Sequence, residues 1–159
     1  MSIQINVGDH VSRLAPLFQP VPFRYQWVTN WARRRAQVIA ATMPSADGYF
    51  RSLPFGRSLS SILADRNIWI NYAPTLTKLW GAADMRSHME VAITPPAYLW
   101  GRWTVLATLI HELAHVNGAP SVSSRAAEDA LLHCGLGKHT EARSGIDDPR
   151  TPFDPGADG

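Results

Sequence analysis

Residues 111–115 read His-Glu-Leu-Ala-His, and they close a run from Trp100 to Ile110 that has no proline, few charges and good helix formers from Val105 onward. Leu106, Leu109, Ile110 and Leu113 form one apolar stripe, while Thr104, Thr108, His111 and His115 follow another face at spacings of four and three. Asn117-Gly118 supplies a C-terminal stop, with Pro120 two residues further on. The pattern therefore demands a mostly buried helix that carries two histidines near its C-terminal end. On such a helix the two imidazoles project one turn apart from one face, where they can hold one Zn²⁺, and Glu112 lies beside the open coordination position. This is the outline of a hydrolytic site.

A catalytic zinc site needs a third protein ligand, leaving the fourth position for water. The candidates after the motif are Glu128, Asp129, His133, His139 and Glu141. A second helix is expected over Arg125–Cys134, capped by Ser123 or Ser124 and closed by Gly135 and Gly137. On it Glu128 shares a face with Leu131 and Leu132, so a carboxylate sits on the apolar side, where a metal would compensate for its burial. Glu128 is therefore the expected third ligand. Asp129, one residue round, is placed to take the ring proton of a liganding histidine. His133, near the end of the same helix, is favoured there by the helix dipole and is a candidate transition-state hydrogen-bond donor. His139 reads as a solvated loop residue.

The rest of the chain frames this site. Its 159 residues, 45% hydrophobic and 18% charged, fit one globular domain, taken as 1–146, with a Pro/Asp/Gly-rich tail over 147–159. The formal charge of +2 reflects a small surplus spread over 13 Arg and two Lys. That surplus does not by itself argue for nucleic acid, and the run Arg33-Arg34-Arg35 reads as a solvated helix face. Cys134 is the only cysteine, so no internal disulfide can form and a structural thiol is its default role. The N-terminus lacks the features of a signal peptide, and no apolar run is long enough for a membrane span, so a soluble cytoplasmic protein is expected.

Residues 1–26 place Phe18, Phe23 and Tyr25 among Pro16, Pro20 and Pro22, which predicts an arm packing aromatics onto the body, with a short strand at Ile3–Val7. A helix is expected over Gln26–Thr42, with Trp27, Trp31, Arg34 and Val38 on one side. Met43–Gly56 reads as turn-rich, and Ser58–Ala64 as a short capped helix. Asn67–Tyr72 and Met89–Thr94 alternate as strands, with Leu76–Leu79 and Gly81–Asp84 between them as loop or helical turn. Pro95-Pro96 is expected to hold off helix until about Leu99. The fold class is α+β, a short mixed sheet with two ligand-bearing helices.

These residues resemble the zincin metallopeptidases, in particular the compact gluzincin group, in which HExxH is followed by a glutamate ligand on the next helix. The resemblance is carried by His111, Glu112 and His115, and by Glu128 within Ala126-Ala127-Glu128-Asp129-Ala130. The strand Met89–Thr94 looks like the edge strand on which zincins lay an extended peptide. The likeness covers about residues 67–135, and the N-terminal 66 residues resemble no family. Twelve residues separate His115 from Glu128, shorter than the gluzincin habit, and Glu141 lies at a more usual distance. By spacing the nearest relatives are SprT-like proteases, which have a histidine where this chain has Glu128. The metzincin pattern is absent. The resemblance implies a zinc peptidase acting on a peptide or protein substrate, with zinc on His111, His115 and Glu128 and with Glu112 as general base. Its rival is a non-catalytic zinc module that binds a partner through the aromatic N-terminal arm. A nucleic-acid-associated protease rests only on the arginine surplus and the SprT-like spacing.

Overall fold

A computed structural model describes residues 1–136. In chain order the elements are β1 (Gln4–Ile5), α1 (Phe23–Thr42), α2 (Pro44–Ser52), α3 (Leu59–Leu63), β2 (Trp69–Tyr72), β3 (Gly81–Ala83), β4 (Glu90–Ile93), α4 (Pro95–Trp100), α5 (Arg102–Val116) and α6 (Arg125–His133). The class is α+β. His139, Glu141 and the proposed tail lie outside the described residues.

Four strands form one mixed sheet in the order β1-β2-β4-β3. β2 runs parallel to β1 and β4, pairing Ile70 with Ile5 and Val91, while β3 runs antiparallel to β4, with Gly81 opposite Ile93. Alternation along β2 and β4 then sorts the side chains. Ile70, Tyr72, Val91 and Ile93 face the main core with Leu106, Leu109, Ile110 and Leu113 of α5. The opposite face carries Ala92, covered with Ala73 by Phe18 of the N-terminal arm. On this rear face Glu90 accepts from Ser12 and pairs with His10, whose ring stacks on Trp69 at 4.2 Å.

The arm thus docks through Phe18, and Tyr25 stacks on Tyr98 at 4.1 Å, but Phe23 and Trp27 remain outside. The buried stripe of α1 is Thr29, Ala32, Ala36 and Ile39, so the line Trp27, Trp31, Arg34, Val38 is not its core face.

Three local expectations are corrected. Met43–Gly56 contains α2, and Pro95-Pro96 opens α4 instead of delaying it; in both helices proline sits in the first turn, where its missing N–H would have had no intrahelical partner. Gly81–Ala83 is a strand, and it, not Met89–Thr94, forms the sheet edge beside β4. β4 is interior and buried along its whole length. No helix among the described residues is long and apolar enough to cross a membrane.

Candidate metal centre

The apolar stripe of α5 is fully buried, and that burial fixes how the helix is turned. Its remaining face, with Thr108, Glu112 and both histidines, is directed between β3 and α6. Asn117 ends the helix by bonding away from it. Its Nδ2 donates to the Phe50 and Arg57 carbonyls at 2.7 and 2.8 Å, and its Oδ1 accepts from the Arg57 amide. Gly118 follows at φ +93°, and a Cβ there would stand 3.0 Å from Pro54. The turn brings the Ala119 carbonyl back over the helix end, where His115 Nδ1 donates to it at 2.9 Å.

That bond decides a tautomer. A carbonyl only accepts, so His115 carries its proton on Nδ1 and Nε2 presents a lone pair. The Nε2 atom of His111 lies 3.3 Å from it. On the far side of the His111 ring, Nδ1 meets Glu128 Oε1 at 3.3 Å, an ion-pair contact that favours the proton on Nδ1 there too. With both protons on Nδ1 the two Nε2 lone pairs face each other, and the contact is favourable only with a proton or a metal cation between them. Two nitrogens about 2.05 Å from a tetrahedral Zn²⁺ are about 3.3 Å apart. The observed separation fits that edge. The donor chemistry fits as well, since imidazole nitrogen beside carboxylate suits zinc.

Glu112 is 6% exposed and lies under β3. Burial pushes its carboxyl up to about 7, repulsion from Glu128 adding to the rise and the His111 imidazole opposing it. The close fit comes from Gly81. A Cβ on this residue would stand 2.9 Å from both Cγ and Oε1 of Glu112 and 2.6 Å from Thr108 Cγ2. Gly81 is not in the left-handed region, so it is needed here for space, not for backbone freedom. Nothing singled it out beforehand except the rule that a glycine in a strand marks a close approach.

Glu128 is 8% exposed, packed on the inner side of α6 near Leu131, while Leu132 faces out. Its contact with Nδ1 of His111 gives it the ring-orienting position that sequence geometry assigned to Asp129. The carboxylate contact and the charge of Glu112 raise His111 against the opposing effect of burial, which is the largest single influence on it. Burial lowers His115, the Ala119 bond opposes that, and repulsion from the His111 ring in its protonated form adds to the lowering. His133 does not join this group. It is exposed and stacks on Tyr49 of α2 at 4.4 Å, an arrangement that gives no support to a role as transition-state donor. His88 reaches only the backbone of His115, at 3.3 Å from its carbonyl. Among the described residues no third donor completes a ligand set. Cys134 is buried and its thiol is pushed up to about 12 by that burial, in keeping with a structural role.

Compared with known proteins, the chain matches no family model, no curated protein and no solved structure. The likeness to zincins therefore rests on the residues themselves.

Proposed function

We propose that this chain is a zinc-dependent peptidase with a zincin-like site. The observation that carries the reading is the pair of Nε2 atoms 3.3 Å apart, one ring bonded through Nδ1 to the Ala119 carbonyl and the other in ion-pair contact through Nδ1 with Glu128, beside a buried carboxyl group raised to about 7. His111 and His115 would hold the metal through Nε2, and Glu128 would hold the His111 ring from behind through Nδ1. When bound, zinc supplies Lewis acidity, lowering the pKa of a water and polarising a carbonyl.

Glu112 is suited to take a proton near neutral pH and return it to a leaving amine, because a general base works best when its pKa lies near the working pH. Its burial under Gly81 fixes its position and excludes bulk water from one side. β3 supports the choice of substrate. It is the last strand of the sheet, its outer edge is unpaired by any other strand among the described residues, and an extended peptide can add there by main-chain hydrogen bonds. Gly81 links that edge to the base.

Glu112→Gln tests the reading. The amide keeps size and shape but cannot accept the proton, so zinc content and melting temperature should hold while cleavage of unfolded proteins and mixed peptides falls by about 10² or more. Undiminished cleavage in Glu112→Gln removes Glu112 as the base. A fourth protein donor on the metal, with no cleavage by the native chain, identifies a structural zinc module instead.

A further inference from the structure

The outer face of α1 has no place in the zinc chemistry, yet it is the most unusual surface of the molecule. The helix holds four arginines and no acidic residue over Phe23–Thr42. Trp27 is 70% exposed, the most exposed tryptophan among the described residues. A groove of about 700 Å³ lies on one side of it, lined by Gln4, Gln26, Asn30, Arg33 and Arg66 among others. A second of about 250 Å³ lies on the other side, between Trp27, Trp31, Arg34 and Arg35. Neither groove has an acidic residue in its wall.

Arg33 shows that this is more than a solvated charge run. Its Nη1 donates to the Ile3 carbonyl at 3.0 Å and its Nη2 to Asn30 Oδ1 at 2.7 Å, so the guanidinium is tucked against β1, not extended into water. Its Nε is buried with no hydrogen-bond partner. Among the described residues no carboxylate pairs with Arg33, Arg34, Arg35 or Arg66. A fixed cation with neutral partners, next to further arginines that no carboxylate pairs, is stabilised when an anion is brought to it. The neighbouring indole face and the amide side chains of Gln4, Gln26 and Asn30 specify what else that anion carries. A planar ring stacks on tryptophan and its edges take amide hydrogen bonds.

We propose that the two grooves flanking Trp27 bind single-stranded nucleic acid, with a base stacked on Trp27 and phosphates on Arg33, Arg34 and Arg66. Unpaired bases suit the site because a duplex offers no free base face to an indole. An anionic membrane surface fits less well. An interfacial helix presents a continuous apolar face, whereas here cations and amides flank the indole within concave walls. The proposal does not rest on the metal reading.

Fluorescence anisotropy of the full chain with labelled 20-nucleotide oligothymidylate and oligouridylate, from 50 to 200 mM NaCl, tests it. Saturable binding to either strand, with quenching of tryptophan emission, is expected, and the tighter arm tells DNA from RNA. Trp27→Ala should weaken binding at least about tenfold and leave the salt slope alone, while Trp27→Phe keeps most of the affinity. The Arg34→Ala, Arg66→Ala double variant should reduce the slope by about 1.4, two phosphates at about 0.7 each. Equal affinity in Trp27→Ala overturns the proposal, as does a duplex bound as tightly as the single strand. Binding to phosphatidylserine vesicles without binding to either oligonucleotide also overturns it and assigns the face to a membrane surface.

Discussion

Gly81→Ala probes the junction between the sheet edge and the carboxyl of Glu112, the proposed general base. The added methyl would stand 2.6 Å from Thr108 Cγ2 and 2.9 Å from Cγ and Oε1 of Glu112, against ordinary contacts of 3.4 Å or more. Relief therefore requires movements of about half an ångström or more in a buried region. In an open strand, alanine for glycine would stabilise by about 0.5–1 kcal/mol through the unfolded chain. Overpacking here costs about 1–3 kcal/mol, so the net effect runs from near zero to a loss of about 2.5 kcal/mol. For a chain of this size that is a fall in melting temperature of up to roughly 10 °C. The larger consequence is for Glu112, because displacing a reacting group by about 1 Å can cost 10² in rate. Zinc should stay bound, since the three atoms nearest the methyl belong to Thr108 and Glu112 and not to an imidazole. The assay pairs metal content and thermal melting with cleavage of unfolded protein. Adding Thr108→Ser removes the worst overlap, so the double variant should regain stability without regaining activity. A Gly81→Ala protein with native melting temperature, native zinc and native cleavage would refute the geometry from which this argument starts.

Two further outcomes follow from the structure. If Glu128 serves His111 through Nδ1, Glu128→Gln keeps an acceptor and should lose less zinc affinity in a competition titration than Glu128→Ala, which should lose about 10–100-fold; equal and larger losses in both would make Glu128 a direct ligand. Asp84 is 2% exposed and accepts from Arg13 Nε at 2.9 Å, Ser87 Oγ at 2.7 Å and the Arg86 amide at 2.9 Å, which together outweigh burial and hold its carboxyl well below the usual range. A depressed folded pKa contributes stability above the unfolded value and loses it as pH falls, so Asp84→Asn should cost about 1–3 kcal/mol in urea at pH 7, and the gap should shrink progressively below about pH 4. A gap that widens on acidification would reverse the sign and sink the assignment.

Much of the site was legible because it depends on local periodicity. Leu106, Leu109, Ile110 and Leu113 are spaced for one buried face, and that fixes where His111 and His115 point once the helix is packed. The Ser58 cap of α3 is likewise local, its side chain accepting from the Ser61 amide. What escaped depends on neighbours far along the chain. Gly81-Ala82-Ala83 has little β-propensity of its own and becomes a strand by pairing with β4. Pro44 and Pro95 read as breakers because sequence alone does not say whether a proline falls before a helix or at its first turn. Trp27, Trp31, Arg34 and Val38 share one side of α1, yet of these only Trp31 packs on the body, against Trp103, while the buried stripe is Thr29, Ala32, Ala36 and Ile39, which lets α5 come close. The roles of Glu128 and Asp129 differ by one residue, about 100° round α6, and the crossing of α6 over α5 decides between them.

Elemental analysis of the purified chain shows whether the paired Nε2 atoms of His111 and His115 hold zinc. About one equivalent of zinc per chain is expected after supplementation, lost in His115→Ala together with the stability that metal lends the folded state. Less than about half an equivalent of any transition metal in the native protein, or full zinc in His115→Ala, would contradict it.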